Sequence, residues 1–213
     1  MTVPFLSITR VLNDSVLKCN IPEPKGNLMQ DCWDLHGQDE RFFPFWLEEW
    51  PSAFGLYDFI SQKGLKWELA LEIGCGAGVL GQLLHKHPGK VVHTDIVLEA
   101  CVFARQQIKA SNPVLAMDFT RCCLRKNFDL VLGTDLFYED RLVHGVCEFL
   151  QDNLTAKGKA FIADPVRKHR MESTQKILQE NKLLHIKPIE WNYKLDGKNR
   201  NMIIWQFQKA KKH

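Results

Sequence analysis

Glu72-Ile73-Gly74-Cys75-Gly76-Ala77-Gly78 constrains this chain more than any other stretch in it. These residues come off the apolar run 69–73 and open into 79–86, which has helical spacing and is ended by Pro88-Gly89. A strand that passes through a glycine-rich turn into a helix puts close-packed backbone at the C-terminal edge of a parallel sheet, where open α/β sheets bind their ligands. Glycine removes Cβ atoms there, so a ligand can approach the main chain, and it admits backbone angles that other residues avoid.

The rest of the chain fits such a sheet. From about residue 66 short β-rich runs alternate with helical stretches, the pattern of βαβ units. Strands are predicted at 69–73, 91–94, 113–117, 128–133 and 159–163, with helices at 79–86, 98–110, 142–153 and 171–181. The run Phe128-Asp129-Leu130-Val131-Leu132 is almost continuously apolar, as a buried central strand is. Residues 185–195 and 201–208 flank the turn signal Asp196-Gly197-Lys198 and read as an antiparallel hairpin. Residues 1–65 are less regular. Pro22, Pro24 and Gly26 break them early and aromatic residues crowd their later part, so they read as an N-terminal cap on a core spanning 66–208. With 213 residues the chain makes one domain rather than two.

A glycine loop of this kind serves dinucleotides as well as other nucleosides, and charge separates them. Glu72 stands at the strand end just before the loop, where a carboxylate would repel a pyrophosphate but not the sulfonium and amino groups of S-adenosyl-L-methionine. Asp95 ends the second strand and can accept hydrogen bonds from both ribose hydroxyls, with Ile96 beside it. Asp118 closes the third strand, placed to meet the adenine amino group while the Phe119 ring lies on the base. The fourth strand delivers Thr134-Asp135-Leu136-Phe137-Tyr138 to the same sheet edge. There Asp135 can orient an acceptor amine, and Tyr138 can hold its cationic character against a π face. The cofactor set read from the residues is therefore Glu72, Gly74, Cys75, Gly76, Gly78, Asp95, Ile96, Asp118 and Phe119, with Asp135 and Tyr138 as the catalytic pair.

Composition excludes several other functions. The formal charge of +3 is small, acidic and basic residues are interleaved, and no basic stripe calls for nucleic acid. The fourth strand is not followed by Asn-Pro-Pro-Tyr or its Phe variant, which amino-base methyltransferases use to stack a base. The one basic cluster, Lys209-Ala210-Lys211-Lys212-His213, reads as a solvated terminus. Seven scattered cysteines (Cys19, Cys32, Cys75, Cys101, Cys122, Cys123, Cys147) form no C-x-x-C pair, and His85 and His87 have no cysteine at zinc-ligand spacing. That pattern implies a reducing compartment and no metal. No leader-like or membrane-length apolar run occurs, so a cytoplasmic protein acting as a monomer is expected.

Taken together, Pro44-Phe45-Trp46 with Trp50-Pro51, the loop 72–78, Asp95, the stretch 132–140, Ala163-Asp164-Pro165 and Ile204-Trp205-Gln206-Phe207 make the chain resemble the seven-β-strand methyltransferases. Within them it is most similar to the protein lysine methyltransferases, in particular the branch directed at the β-subunit of electron-transfer flavoprotein. The resemblance implies a Rossmann-like, mostly parallel seven-stranded sheet with helices on both faces. It also implies cofactor contacts from Trp50, Gly74, Cys75, Gly76, Asp95, Phe119 and Thr134, and a protein substrate facing Asp135 and Tyr138. The chain departs from the flavoprotein branch at Trp50-Pro51-Ser52-Ala53-Phe54, where W-P-G-G-Q is usual, and at Cys75, where Ser or Ala is common. A small-molecule N-methyltransferase and a binding module without catalysis are the alternatives carried forward.

Overall fold

The computed structural model describes residues 3–23, 25–121, 124 and 128–210. Pro24, Cys122, Cys123 and the end of the basic tail, Lys211-Lys212-His213, lie outside the described residues. Five parallel strands form the centre: β3 (Leu69–Ile73), β4 (Lys90–Asp95), β5 (Val114–Ala116), β6 (Phe128–Thr134) and β7 (Leu154–Pro165). Two long strands, β8 (Leu184–Leu195) and β9 (Lys198–Lys209), form the C-terminal hairpin, with β9 antiparallel to β7. The fold is thus the Rossmann-like α/β arrangement expected.

The sheet is wider than seven strands. Residues 5–22, read from sequence as irregular, fold as a hairpin of β1 (Phe5–Leu12) and β2 (Ser15–Pro22), and β1 meets β8 through Leu12 and Leu195. Spatial order is β2-β1-β8-β9-β7-β6-β3-β4-β5. Asn13 takes the left-handed conformation at the two-residue turn, with φ +50°, which asparagine tolerates better than most residues.

Side-chain alternation shows why both faces are covered. Along β6, Leu130 and Leu132 join one core with α2 (Ser52–Gln62) and α3 (Val79–Leu83), while Val131 points into a second core with α5 (Asp140–Asn153). Phe161 and Ala163 of β7 join the first core, Ala160 and Ile162 the second. The period of two follows from strand geometry, and a strand buried on both faces must be apolar throughout. In α5, Leu142, Val143, Val146, Cys147, Phe149 and Leu150 are buried along one stripe, which fixes how the helix lies on the sheet. Leu178 of α6 (Lys168–Glu180) completes that core, and α4 (Leu98–Gln107) packs beside β4 and β5.

Chain order reverses on either side of β3, with β4 on one side and β6 on the other. The C-terminal ends of these strands therefore open a crevice at a topological switch point. The N-terminal segment closes over it. After α1 (Leu28–Leu35), two short 3₁₀ turns carry Phe42, Phe45 and Trp46 towards this edge. The following turn is tied from three directions: Arg10 of β1 binds Glu49 through Nε at 2.7 Å and Nη2 at 2.5 Å, Tyr193 of β8 donates to the Pro51 carbonyl at 3.0 Å, and Trp50 Nε1 donates to the Phe45 carbonyl at 2.9 Å. Among the described residues no helix is long and apolar enough to cross a membrane, and Cys19, Cys75, Cys101 and Cys147 are free thiols.

Candidate active site

At the C-terminal ends of β3, β4 and β6 lies a cavity of about 520 Å³, within the range of about 300–1,000 Å³ usual for small-ligand sites. Trp50, Glu72, Gly74, Cys75, Gly76, Asp95, Ile96, Asp118, Phe119, Thr134, Asp135 and Tyr138 all line it. Gly78 does not. Its φ of +76° starts α3, and a Cβ there would lie 2.8 Å from Ile108 Cδ1 and 3.0 Å from Ala104 Cβ, so its place in the loop is explained by helix entry and packing against α4.

Gly74 is held at φ +66°, and a Cβ on it would come within 2.6 Å of Leu136 Cδ2. The loop can thus pass close under the residue that follows Asp135 only because Gly74 has no side chain. A Gly74→Ala variant is expected to lose about 1–2 kcal/mol of stability to the left-handed backbone alone, and to displace Leu136, so that cofactor affinity falls with it. Urea denaturation and calorimetric titration would check both, and unchanged affinity would separate the loop from the site.

The electrostatics differ from what spacing alone suggests. Glu72 is buried, but its carboxylate is engaged: Oε2 lies 2.5 Å from Nδ1 of the fully buried His93, its register partner on β4. Asp95 accepts from the Gly76 amide through Oδ2 at 2.8 Å and from the Val97 amide through Oδ1 at 2.9 Å, which clamps the glycine loop to the end of β4. Burial raises its pKa above the usual carboxylate value, against the pull of those amides. Asp118 Oδ1 accepts from the Thr120 amide at 2.9 Å and hydroxyl at 2.6 Å, so it shapes the turn that presents Phe119, whose ring meets Phe149 edge-on. The Cys75 thiol is pushed up by its contact with Cys101 and by burial, which keeps it a thiol.

On the acceptor side, Asp135 adopts φ +56°, an unusual conformation for a residue with a side chain and one that clusters at functional sites. Its amide donates to the Ala163 carbonyl at 2.9 Å, and its Oδ1 accepts from Arg167 Nη2 at 2.9 Å. The buried Oδ2 has no hydrogen bond of normal geometry among the described residues. Burial raises the pKa of Asp135, opposed by the Ser52 hydroxyl and the Arg167 guanidinium. Beside it Tyr138 is 37% exposed and Phe45 41%, with ring centroids 5.7 Å apart, and Phe45 meets Trp50 at 6.3 Å. Exposed aromatic rings that meet at a tilt or edge-on beside a cavity leave faces for a ligand. Trp46 is both packing and wall: it sits in a core with Ala77, Val97 and Phe103 and also lines the cavity, its Nε1 buried without a partner among the described residues.

Reading the sequence missed the arginines. Arg41, Arg121, Arg141 and Arg167 all line the cavity; Arg41 is paired with Asp39 and Arg141 with Glu139, each at 2.5 Å. Arg167 alone had a signal nearby, in the Asp164-Pro165 pair two residues before it.

This geometry can be set against known proteins. Residues 46–183 match the family described as lysine methyltransferase. The chain belongs to that family. It is therefore an S-adenosylmethionine-dependent methyltransferase. The fold of the enzyme is shared with solved structures of low sequence identity. The N-methyltransferase NodS of Bradyrhizobium japonicum WM9, in complex with S-adenosyl-L-homocysteine, is 16% identical with a TM-score of 0.62, covering 87% of this chain and 100% of its own. The ribosomal protein L11 methylase of Lactobacillus delbrueckii subsp. bulgaricus is 17% identical with a TM-score of 0.59, covering 76% and 81%. Magnesium protoporphyrin IX methyltransferase of Synechocystis PCC 6803 with bound SAM is 15% identical with a TM-score of 0.57, covering 88% and 86%. No curated protein sequence matches the chain. The enzyme's own residues fit the cofactor. Asp95 keeps lone pairs beyond its two amide bonds to receive a diol, Gly76 would place a Cβ no closer than 3.7 Å to any neighbour, leaving room over the loop, and Phe119 offers an aromatic face.

Proposed function

We propose that the enzyme methylates a lysine side chain of a protein. The observation that carries this reading is Asp135, whose buried Oδ2 accepts no hydrogen bond of normal geometry among the described residues and lies beside the rings of Tyr138 and Phe45. A carboxylate next to aromatic faces suits an alkyl amine that arrives as a cation and must be turned before it reacts. When bound, S-adenosylmethionine supplies an electrophilic methyl group on sulfonium sulfur. The chain's part is placement and exclusion of water: Asp95 and the glycine loop fix one reactant, Asp135 orients the other, and Phe45, Trp50 and Tyr138 cover the gap between them. The first acceptor to test is the β-subunit of electron-transfer flavoprotein, because Pro44-Phe45-Trp46, Trp50-Pro51 and Asp135-Leu136-Phe137-Tyr138 liken the chain to that branch.

Purified enzyme and an Asp135→Ala variant, each with methyl-labelled S-adenosylmethionine and lysate from cells lacking the enzyme, test the reading. One or a few labelled proteins carrying methyl-lysine are expected, with the rate in the variant at least about a hundredfold lower and its cofactor affinity retained. Label confined to small molecules would overturn the protein acceptor in favour of a metabolite. An active Asp135→Ala variant would remove the assigned role of that carboxylate.

A further inference from the structure

Arg167 lies between the end of β7 and the start of α6, and its side chain is 21% exposed. It binds two carboxyl groups at once: Nη2 to Asp135 Oδ1 at 2.9 Å and Nη1 to Asp164 Oδ1 at 3.0 Å. Asp164 Oδ1 also accepts from the Phe137 amide at 3.1 Å, so the same group braces the backbone two residues beyond Asp135. The two acids sit one residue past Thr134 and Ala163, which are register partners on β6 and β7. Each has a buried Oδ2 without a hydrogen bond of normal geometry among the described residues. The planar fork of arginine can serve two separate carboxylates, which the single ammonium of lysine cannot do with the same geometry. Arg167 also lines the cavity beside Asp135 and Tyr138, so its charge is felt where an acceptor would enter.

We propose that Arg167 is a positioning residue for methyl transfer: it holds Asp135 by Oδ1 so that Oδ2 is left for the acceptor amine, and its charge disfavours the protonated form of that amine. The inference rests on the acceptor being an amine. Such an amine enters as an ammonium ion and loses a proton to solvent. Its nitrogen lone pair then forms the new N–C bond as the C–S bond breaks, the electrons of that bond staying on sulfur. Asp135 alone would favour the ammonium ion and delay this step. Arg167 offsets that effect while keeping the carboxylate in place.

The ionisable groups around this point include Asp164 from β7, Tyr138 after β6, Tyr193 from β8, Glu139 and Arg141 at the start of α5, and, acting on the two tyrosines, Asp95 of β4 and Arg200 of β9. Burial raises Tyr138 and takes Tyr193 to about 12, so neither titrates between pH 6 and 9.5. Asp164 is brought into that window, to about 8, and the test must separate it from the amine.

The experiment measures kcat and KM from about pH 6 to 9.5 for wild type, Arg167→Gln, Arg167→Lys and Asp164→Asn, using the lysate protein that the wild type labels, purified. In Arg167→Gln, kcat at pH 7 is expected to fall at least about tenfold with KM within about threefold, and the rising limb to move up by about one pH unit or more, so the loss shrinks at high pH. Arg167→Lys keeps the charge and is expected to leave the limb near its wild-type position with a smaller loss of kcat; it serves equally if Arg167→Gln does not fold. In Asp164→Asn the limb persists. Equal losses at every pH in both Arg167 variants would mean a structural role only, and a limb that disappears in Asp164→Asn would assign the titration to Asp164; either result overturns the inference. An unmoved profile in Arg167→Gln overturns it while lysine methylation stands. A wild type that methylates no amine overturns the proposed function and this inference with it, and is seen before any variant is made.

Discussion

An Asp95→Ala variant is expected to bind S-adenosylhomocysteine at least about a hundredfold more weakly than wild type by calorimetric titration. Two effects add. The carboxylate is placed to accept from both hydroxyls of a ribose, and hydrogen bonds to a charged group are worth about 1.5–3 kcal/mol each, where about 1.4 kcal/mol is a factor of ten. The same carboxylate also fastens the Gly76 and Val97 amides, so its removal frees the loop that the rest of the ligand must lie on. Asp95→Asn should fall between the two, since it keeps one acceptor and turns the other into a donor facing an amide. Because burial raises the pKa of Asp95, wild-type affinity should also weaken as pH falls through that raised value and the carboxylate becomes protonated. Affinity within fivefold of wild type in a folded Asp95→Ala protein would remove Asp95 from the cofactor site.

What could be read from the sequence follows from how completely each element is buried. The central strands β3 and β6 are apolar on both faces and lie within a residue of where their composition puts them. The predicted strand at 159–163 is the buried middle of a longer β7, whose first part, Thr155-Ala156-Lys157, is small, polar and largely exposed and carries no apolar signal. The N-terminal hairpin was hidden for the opposite reason. Phe5, Leu6, Val11 and Val16 are exposed while Arg10 and Asn20 are turned partly inward to Glu49 and Gln107, so the alternation that marks a half-buried strand is scrambled. Its strands pair chiefly with each other and touch the sheet through one register pair, and such a segment needs little apolar patterning.

At the site, residues fixed by local backbone could be found from spacing, because the glycine loop, Asp95 and Asp135 each sit at the end of a strand that the sequence marks. Residues that act across the fold could not. His93 lies in an apolar strand and looks like core; only the β3–β4 register sets it against Glu72 and takes up the carboxylate expected to face the methyl donor. Arg167 is 32 residues from Asp135, and nothing in an isolated arginine says which acid it will reach. The aromatic segment illustrates the same limit, since Trp46 is core and cavity wall together and no sequence pattern distinguishes the two roles.

Asp164 gives the enzyme a stability that depends on pH in an unusual sense. Burial first, and the nearby charge of Asp135 second, raise its pKa to about 8, against the opposing effects of the Phe137 amide and Arg167. Between the ordinary carboxylate value near 4 and about 8, the folded chain therefore holds a proton that the unfolded chain has released. Stability must fall as pH rises through this window and level off above it, because the unfolded state binds fewer protons. An Asp164→Asn variant cannot ionise, yet its side-chain oxygen can still accept from the Phe137 amide and Arg167. It should match wild type within about 1 kcal/mol near pH 5 and exceed it by about 2–5 kcal/mol near pH 9, the upper figure being the full linkage of about four pKa units. Urea denaturation of both proteins at the two pH values gives the comparison. A stability difference that is the same at pH 5 and pH 9 would mean that Asp164 titrates alike in the folded and unfolded chain, and that Arg167 compensates both carboxylates in full.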